Sequence, residues 1–349
     1  MNVMRTRRSQ SSSNLVQNSP STSLDAARDK LLGVKHQSVL LHEAIEMLDI
    51  QPNDTVVDAT LGRAGHAREI IKKLGRGGLF IGFDLDSDAI SRAEARLTDT
   101  LAKKVLINTN FADLHRELSK RDIHAIDKAL FDLGWSSDQL DAGRGFSFQK
   151  DEPLIMTYRT DPALITARVV VNEWEESSIA DIIFGWGEER YARRIARAIV
   201  HYRAAKTIET ARELAEIVKK AVPGSYARGR IHPATRTFQA LRIAVNDEMG
   251  ALQKGIRSAW ELLKADGRIA VISFHSIEDR AVKQLFAEFE KRGEGMRLTK
   301  KPLVPTDSEI QANPRSRSAK LRVIQKNHDH RNQKNKQIST ARAAGDAAA

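Results

Sequence analysis

The chain of 349 residues contains no cysteine. That one absence excludes disulfides, thiolate catalysis, zinc fingers and iron–sulfur clusters. No apolar stretch approaches the roughly 18 residues of a membrane-spanning helix, so the expectation is a soluble chain with no membrane partner. The dinucleotide fingerprint G-x-G-x-x-G is missing, which disfavours a nicotinamide- or flavin-dependent dehydrogenase. There is no internal repeat and no metal-ligand spacing. What is present is a 41% apolar fraction, enough for a real core, in a length that suits one large domain or two modest ones.

The positive charge is unevenly placed. Residues 1–30 hold five basic side chains against Asp25 and Asp29, and residues 313–349 hold nine against Asp329 and Asp346. Nearly all of the net +11 therefore sits on the two ends of an almost neutral body. A basic balance points to a polyanionic partner, although basic tails also serve solubility alone. Residues 1–33 read as a disordered basic, Ser-rich leader, and residues 327–349 as a disordered basic tail. Without an apolar segment after Arg7-Arg8 there is no export signal, so the expected location is cytoplasmic. The Arg/Ser-rich leader keeps an organellar alternative open.

Between the ends, strands alternate with helices. Val39–Leu48 reads as an amphipathic helix, Thr55–Asp58 as a buried strand, Leu79–Asp84 as a second, Lys104–Thr109 as a third and Ala129–Asp132 as a fourth. A fifth, Arg268–Phe274, follows a long helix Thr235–Leu263 and the turn Asp266-Gly267. Apolar strands separated by helices predict a parallel sheet covered on both faces. Residues 141–239 show helical patterns and no convincing strand, which predicts an all-helical insert at the carboxyl edge of the sheet, where doubly wound folds bind ligands.

Gly62 and Gly65 suit a tight strand-to-helix turn. The next strand ends in Asp84, 22 residues after Gly62, where an acid can accept hydrogen bonds from two ribose hydroxyls. Asp86 competes for that role. Phe111 could pack on an adenine face, and Asp132 ends the fourth strand above the same crevice. With Asp58 ending the first strand, the acids suit a phosphate-free, cationic nucleoside such as S-adenosylmethionine. A generic tight turn would leave the same glycine spacing.

Three stretches depart from ordinary surface. Asp132–Asp141 and Arg144–Phe148 are dense in small polar and aromatic residues. A predicted helix Gly187–Lys206 carries Arg190, Arg193, Arg194 and Arg197 at i, i+3, i+4 and i+7, which suggests phosphate contact or a solvated face paired with Glu188 and Glu189. In His232–Glu248, the residues Thr235, Gln239, Arg242 and Asn246 share one helix face with directional hydrogen-bonding groups. His275 stands at the end of the fifth strand, as a structural or a functional histidine.

These stretches, together with His36–Glu43, Asp58–Gly62, Gly65-His66, Gly187–Arg190, Ser273–Ser276, Glu278–Arg280, Asn313–Arg315 and Arg317–Ala319, resemble the bacterial ribosomal RNA small-subunit methyltransferase H (MraW) family over about residues 36–323. The resemblance implies an α/β, Rossmann-like class I S-adenosylmethionine-dependent methyltransferase fold with an inserted all-helical domain. The discontinuous cofactor domain would be residues 34–140 and 240–326, and the insert residues 141–239. The implied activity is methylation of the 4-amino nitrogen of a P-site cytidine in 16S ribosomal RNA. The small ribosomal subunit is then the partner, with no obligate protein partner, for a monomer or homodimer. Matching motifs gives Ala64, Gly65, His66, Asp84, Phe111, Asp132 and Gln139 as cofactor residues. Arg190, Arg193, Arg194, Arg197, Arg236, Arg242, Arg315 and Arg317 are the expected RNA contacts.

The usual proline-rich loop of amine methyltransferases is absent after the fourth strand. Trp135 or a nearby aromatic is therefore expected to stack on the extruded cytosine. Ser136, Ser137 or Asn246 would accept the amine protons, with help from His275. Two departures from the family pattern stand out: Ala64 in place of a glycine, and Ile155 and Thr157 in place of an aspartate and an arginine. The second admits a shifted substrate. The residues also leave room for a non-catalytic RNA-binding relative, or for a methyltransferase acting on protein or a small molecule.

Overall fold

The computed structural model describes residues 38–328, except 99, 135–142, 160 and 162. Its strands are β1 (Thr55–Asp58), β2 (Leu79–Asp84), β3 (Lys103–Asn108), β4 (Ile126–Asp132), β5 (Leu263–Ser273), β6 (Gly295–Arg297) and β7 (Lys320–Lys326). They form one sheet in the order β3-β2-β1-β4-β5-β7-β6. From β3 across to β5 the pairs are parallel, and β7 runs antiparallel to both β5 and β6. Chain order reverses at β1, with β2 and β3 on one side and β4 and β5 on the other. Loops leaving the strand ends diverge at such a point and open a crevice. The architecture is a Rossmann-like α/β fold.

Helices α1 (Leu41–Leu48), α2 (Gly65–Lys73), α3 (Ser87–Arg96) and α4 (Leu114–Ser119) alternate with the first strands. Between β4 and β5 the described residues hold α5 (Ala167–Glu173), α6 (Glu176–Gly187), α7 (Ala192–Arg203), α8 (Ala211–Ala221), α9 (Gly224–Ala227), α10 (Ala234–Val245) and α11 (Glu248–Leu262). Helices α12 (Ser276–Lys291) and α13 (Asp307–Ala312) follow β5.

The two-residue period of a strand sorts the core. Val57, Ile81, Phe83 and Phe131 point to one face and meet Ile256 and Trp260 of α11 and Phe286 of α12. Val56, Phe80, Leu130 and Ile272 point to the other and meet Leu48 of α1 and Ile70 of α2. Burying each large side chain contributes about 1.5–3 kcal/mol. A third cluster joins Leu154, Ile183, Ile195, Ile199, Leu214, Phe238 and Leu241, so the helices after β4 have apolar packing of their own.

Four expectations about elements are corrected. The sheet is mixed rather than all parallel, because Lys320–Lys326 is a strand whose Leu321, Val323 and Ile324 are buried among charged neighbours. The helix expected over 235–263 is two helices. The break falls at Asn246-Asp247, where Asp247 adopts φ 46° and Asn246 turns its amide onto another segment. The helix expected over 187–206 starts at Ala192, since Glu188 is left-handed at φ 50° and Glu189 ties the linker by accepting from the Tyr191 N–H (2.9 Å) and the Tyr226 hydroxyl (2.5 Å). Finally, Asp266-Gly267 lies within β5. Asp266 sits at φ 61° there, opposite a register shift between Ile126 and Lys128 of β4.

Candidate active site

The carboxyl ends of β1, β2 and β4 bring Asp58, Asp84 and Asp132 to one crevice. The backbone after β1 turns through Gly62 at φ 50° and Ala64 at φ 60° before α2 begins. Ala64 therefore holds a left-handed conformation that costs an L-residue about 1 kcal/mol. At Gly65 a Cβ atom would stand 1.9 Å from Ser38 Oγ, so only glycine lets residue 38 close on the turn.

Asp84 and Asp86, rivals in the sequence, have different tasks. Asp84 Oδ2 accepts from the Gly62 N–H (2.8 Å) and Oδ1 from the Asp86 N–H (2.9 Å), which fixes the carboxylate against the glycine turn. Asp86 caps α3 through the Asp88 N–H (2.9 Å) and pairs with Arg92 (3.2 Å). Burial raises the Asp84 pKa, opposed by those two amides.

Asp58 and Asp132 are under-satisfied. Asp58 is buried; its Oδ1 accepts from the Thr60 N–H (3.1 Å), while Oδ2 has no hydrogen-bond partner among the described residues. Asp132 Oδ1 likewise has none, and its Oδ2 lies 3.4 Å from His66 Nδ1. Burial lifts both carboxyls to about 7, against the charge of His66 for Asp58 and the Gly134 amide for Asp132. His66, itself buried, has Nε2 3.1 Å from the Val39 carbonyl, so Nε2 carries the donated proton and Nδ1 is the basic nitrogen facing Asp132. Burial depresses the His66 pKa. Two unpartnered acid oxygens in a buried crevice suit a cationic ligand that brings its own donors.

Sequence reasoning missed the wall of this site. Leu40, at φ 51°, donates its N–H to Glu309 Oε1 of α13 (2.8 Å), 269 residues away. That brace holds Ser38 and Val39 against Gly65 and His66. No local signal in the sequence links Leu40 to Glu309; only the folded chain does.

The remaining predicted residues fall in several places. Phe111, in a 3-10 turn after β3, meets Phe131 edge-on at 5.6 Å and packs on Gly255 of α11, so part of its ring belongs to the core. Trp135, Ser136, Ser137 and Gln139 lie outside the described residues. Asn246 closes α10. Its Oδ1 accepts from the Tyr158 N–H (2.8 Å), and its Nδ2 donates to the carbonyls of Met156 (2.8 Å) and Arg242 (2.9 Å). Those bonds make it a pin between α10 and the 156–158 segment.

Arg242 is largely buried. It is only 8% exposed and pairs bidentately with Glu248 (2.8 and 2.9 Å), whose Oε1 also accepts from the Tyr158 hydroxyl (2.7 Å). His275 caps α12: its Nδ1 accepts from the Glu278 N–H (3.3 Å), and Glu278 Oε2 accepts from the amides of Phe274 (2.8 Å) and His275 (3.3 Å). Its Nε2 stands 3.1 Å from Glu278 Oε1.

Arg190, Arg193, Arg194, Arg197, Arg236, Arg315 and Arg317 are all exposed, as RNA contact requires. Arg190 lies ahead of α7 and stacks on Tyr191 and Tyr226 (4.8 and 4.9 Å to the ring centres). Thr157 is buried and donates to the Arg159 carbonyl (2.7 Å), so a neutral, self-satisfied hydroxyl fills the place where the family pattern has a charge.

A family model, that of the MraW methylase family, matches residues 33–327, nearly all of the chain between its ends. The chain belongs to the MraW methylase family. Curated relatives agree. The ribosomal RNA small subunit methyltransferase H of Clostridioides difficile is 46% identical over 308 residues, which is 83% of this chain and 98% of that protein. The proteins of the same name from Syntrophotalea carbinolica (47% over 309 residues, 84% and 98%) and Acetivibrio thermocellus (46% over 310 residues, 84% and 99%) are similar to the same extent. The methylase family accounts for a crevice with acids at three strand ends and a glycine turn but no phosphate-binding fingerprint.

Proposed function

We propose that this methylase transfers a methyl group from S-adenosylmethionine to the 4-amino nitrogen of a P-site cytidine in 16S ribosomal RNA, acting on the small ribosomal subunit. The observation that carries the cofactor is the pair of unpartnered oxygens on Asp58 and Asp132. S-adenosylmethionine has a sulfonium and an ammonium, two ribose hydroxyls and no phosphate, so these residues fit it. Asp84, fixed beside Gly62, is the acid for the ribose. Asp132 and His66, with Gly65 and Ala64, would hold the amino-acid side of the cofactor, and Phe111 offers the free part of its ring to the adenine. When bound, the cofactor supplies an electrophilic methyl carbon.

The residues of this chain do the positioning. A cytosine amine is a weak nucleophile because its lone pair is delocalised, so alignment at about 3 Å from the methyl carbon supplies most of the acceleration. With the cofactor held by Asp58, Asp84 and Asp132, its methyl group would be available to an amine presented at the mouth of the crevice, and the proton lost by that amine would pass to solvent. Exposed arginines on α7, at Arg236 and at Arg315 and Arg317 support an RNA substrate, as do the names of the relatives. The chain's own test is label transfer from methyl-labelled S-adenosylmethionine to small subunits, with nucleoside mass spectrometry. N4-methylated cytidine is expected; label on protein alone would overturn the reading.

A further inference from the structure

We propose that the last turn of α6, Phe184-Gly185-Trp186, is a stacking surface for unpaired RNA bases flanking the nucleotide to be methylated; this rests on the reading of the chain as an RNA methyltransferase. The first observation is composition against environment. Helix α6 buries Ile179, Ala180, Ile183 and Gly187, and its outward residues Ser177 and Asp181 are polar. One turn on, Phe184 is 68% exposed and Trp186 is 37% exposed. They flank the core stripe on either side, with Gly185 facing outward between them. Among the described residues, nothing lies within 4 Å of where a Gly185 side chain would begin. Glycine weakens a helix interior, and no packing among the described residues accounts for it here. A bare backbone between two exposed rings leaves room for flat groups to approach.

The second observation is position. Glu188 closes α6, and its carboxylate accepts from Ser276 Oγ (2.6 Å) and from Arg280. The carbonyl of Glu188 accepts from Arg236 Nη1 (2.8 Å), and that of Trp186 from Gln239 Nε2 (3.2 Å). Ser276 opens α12 directly after β5, so this turn is clamped to the rim of the crevice that holds Asp132. The third is charge. Only residues 188–191 join α6 to α7, and Glu176 at the start of α6 lies 3.6 Å from Arg197 of α7, so the two helices run antiparallel with Phe184 toward the Arg190–Arg193 end. Exposed rings beside exposed arginines are what single-stranded RNA sites use: guanidinium on phosphate, ring on base. The exposed arginines beside the rings complement a polyanion, so RNA is the favoured occupant.

The test titrates full-length protein with a short labelled single-stranded RNA and with an abasic strand of the same length. F184A/W186A should bind the base-bearing strand about tenfold more weakly or worse. Its affinity for the abasic strand and, by calorimetry, for S-adenosylmethionine should stay at wild-type level. The ring-conserving F184Y/W186F should restore binding, and R193A/R194A should weaken both strands alike. Unchanged affinity of F184A/W186A for the base-bearing strand, or equal loss on both strands, would overturn the proposal. So would sedimentation in which wild type self-associates and F184A/W186A does not while RNA affinity is intact, since the patch would then join copies of this chain. Failure of the underlying reading looks different: wild type would bind S-adenosylmethionine and neither strand.

Discussion

Asp58 and Asp132 set the chemistry of the crevice through what each lacks. Both carboxyls sit at about 7, raised above the unfolded value by burial. The sign follows from linkage: the folded chain holds these protons more tightly than the unfolded one. For Asp58, the contribution is fully present below about pH 4 and is lost as pH rises to about 7, up to roughly 4 kcal/mol at most. Denaturant titrations of the ligand-free protein should therefore show Asp58→Asn more stable than wild type at pH 8 and nearly equal at pH 4. A cationic ligand favours the ionised acids. Binding of S-adenosylmethionine should release protons at pH 6, read by calorimetry in buffers of different ionisation enthalpy, and should tighten as pH rises toward 7. Asp132→Asn should weaken that binding about tenfold to a hundredfold, the effect of losing a charged hydrogen-bond acceptor. Ala64→Gly should stabilise the fold by about 1 kcal/mol by relieving its left-handed backbone, read as a rise in Tm.

Elements were more legible than the contacts between them. Strands β1 and β2 have the bounds that apolar runs predict, because a parallel strand buried on both faces is apolar throughout. The Asp84 position followed from the same logic, since a strand end fixes a site without knowledge of side-chain partners. β7 was hidden because its charged residues pair locally: Arg322 and Lys320 both meet Asp279 of α12 (2.6 and 3.3 Å), which lets a basic sequence lie within a sheet. The partners of Arg242 and Asn246 were hidden for a related reason. Helical spacing puts them on a face with Thr235 and Gln239, and nothing local shows that Glu248 and the 156–158 backbone engage Arg242 and Asn246 there. Arg242→Ala should cost about 3–5 kcal/mol in denaturant unfolding by stranding Glu248. If Arg242 touched RNA instead, stability would hold and the salt dependence of RNA binding would fall.

At the scale of the whole molecule, one end of a Rossmann-like sheet is walled by segments remote in sequence. Leu40 is braced by Glu309, and α6 is clamped to α12 through Glu188. Such joins are legible only in the folded chain, whereas the family pattern that selects them is spread visibly along residues 33–327. Charge acts at this scale too. Removing Arg193, Arg194 and Arg197 together should weaken RNA binding across sequences and lower the salt slope by roughly 0.7 per lost single-strand phosphate contact. The most direct measurement of the central claim is nucleoside mass spectrometry of small-subunit RNA taken from cells that lack this methylase, after incubation with the purified protein and methyl-labelled S-adenosylmethionine. The account predicts labelled N4-methylcytidine at one P-site position, strongly reduced with Asp132→Asn. Label on any other nucleoside, or full labelling by Asp132→Asn, would contradict it.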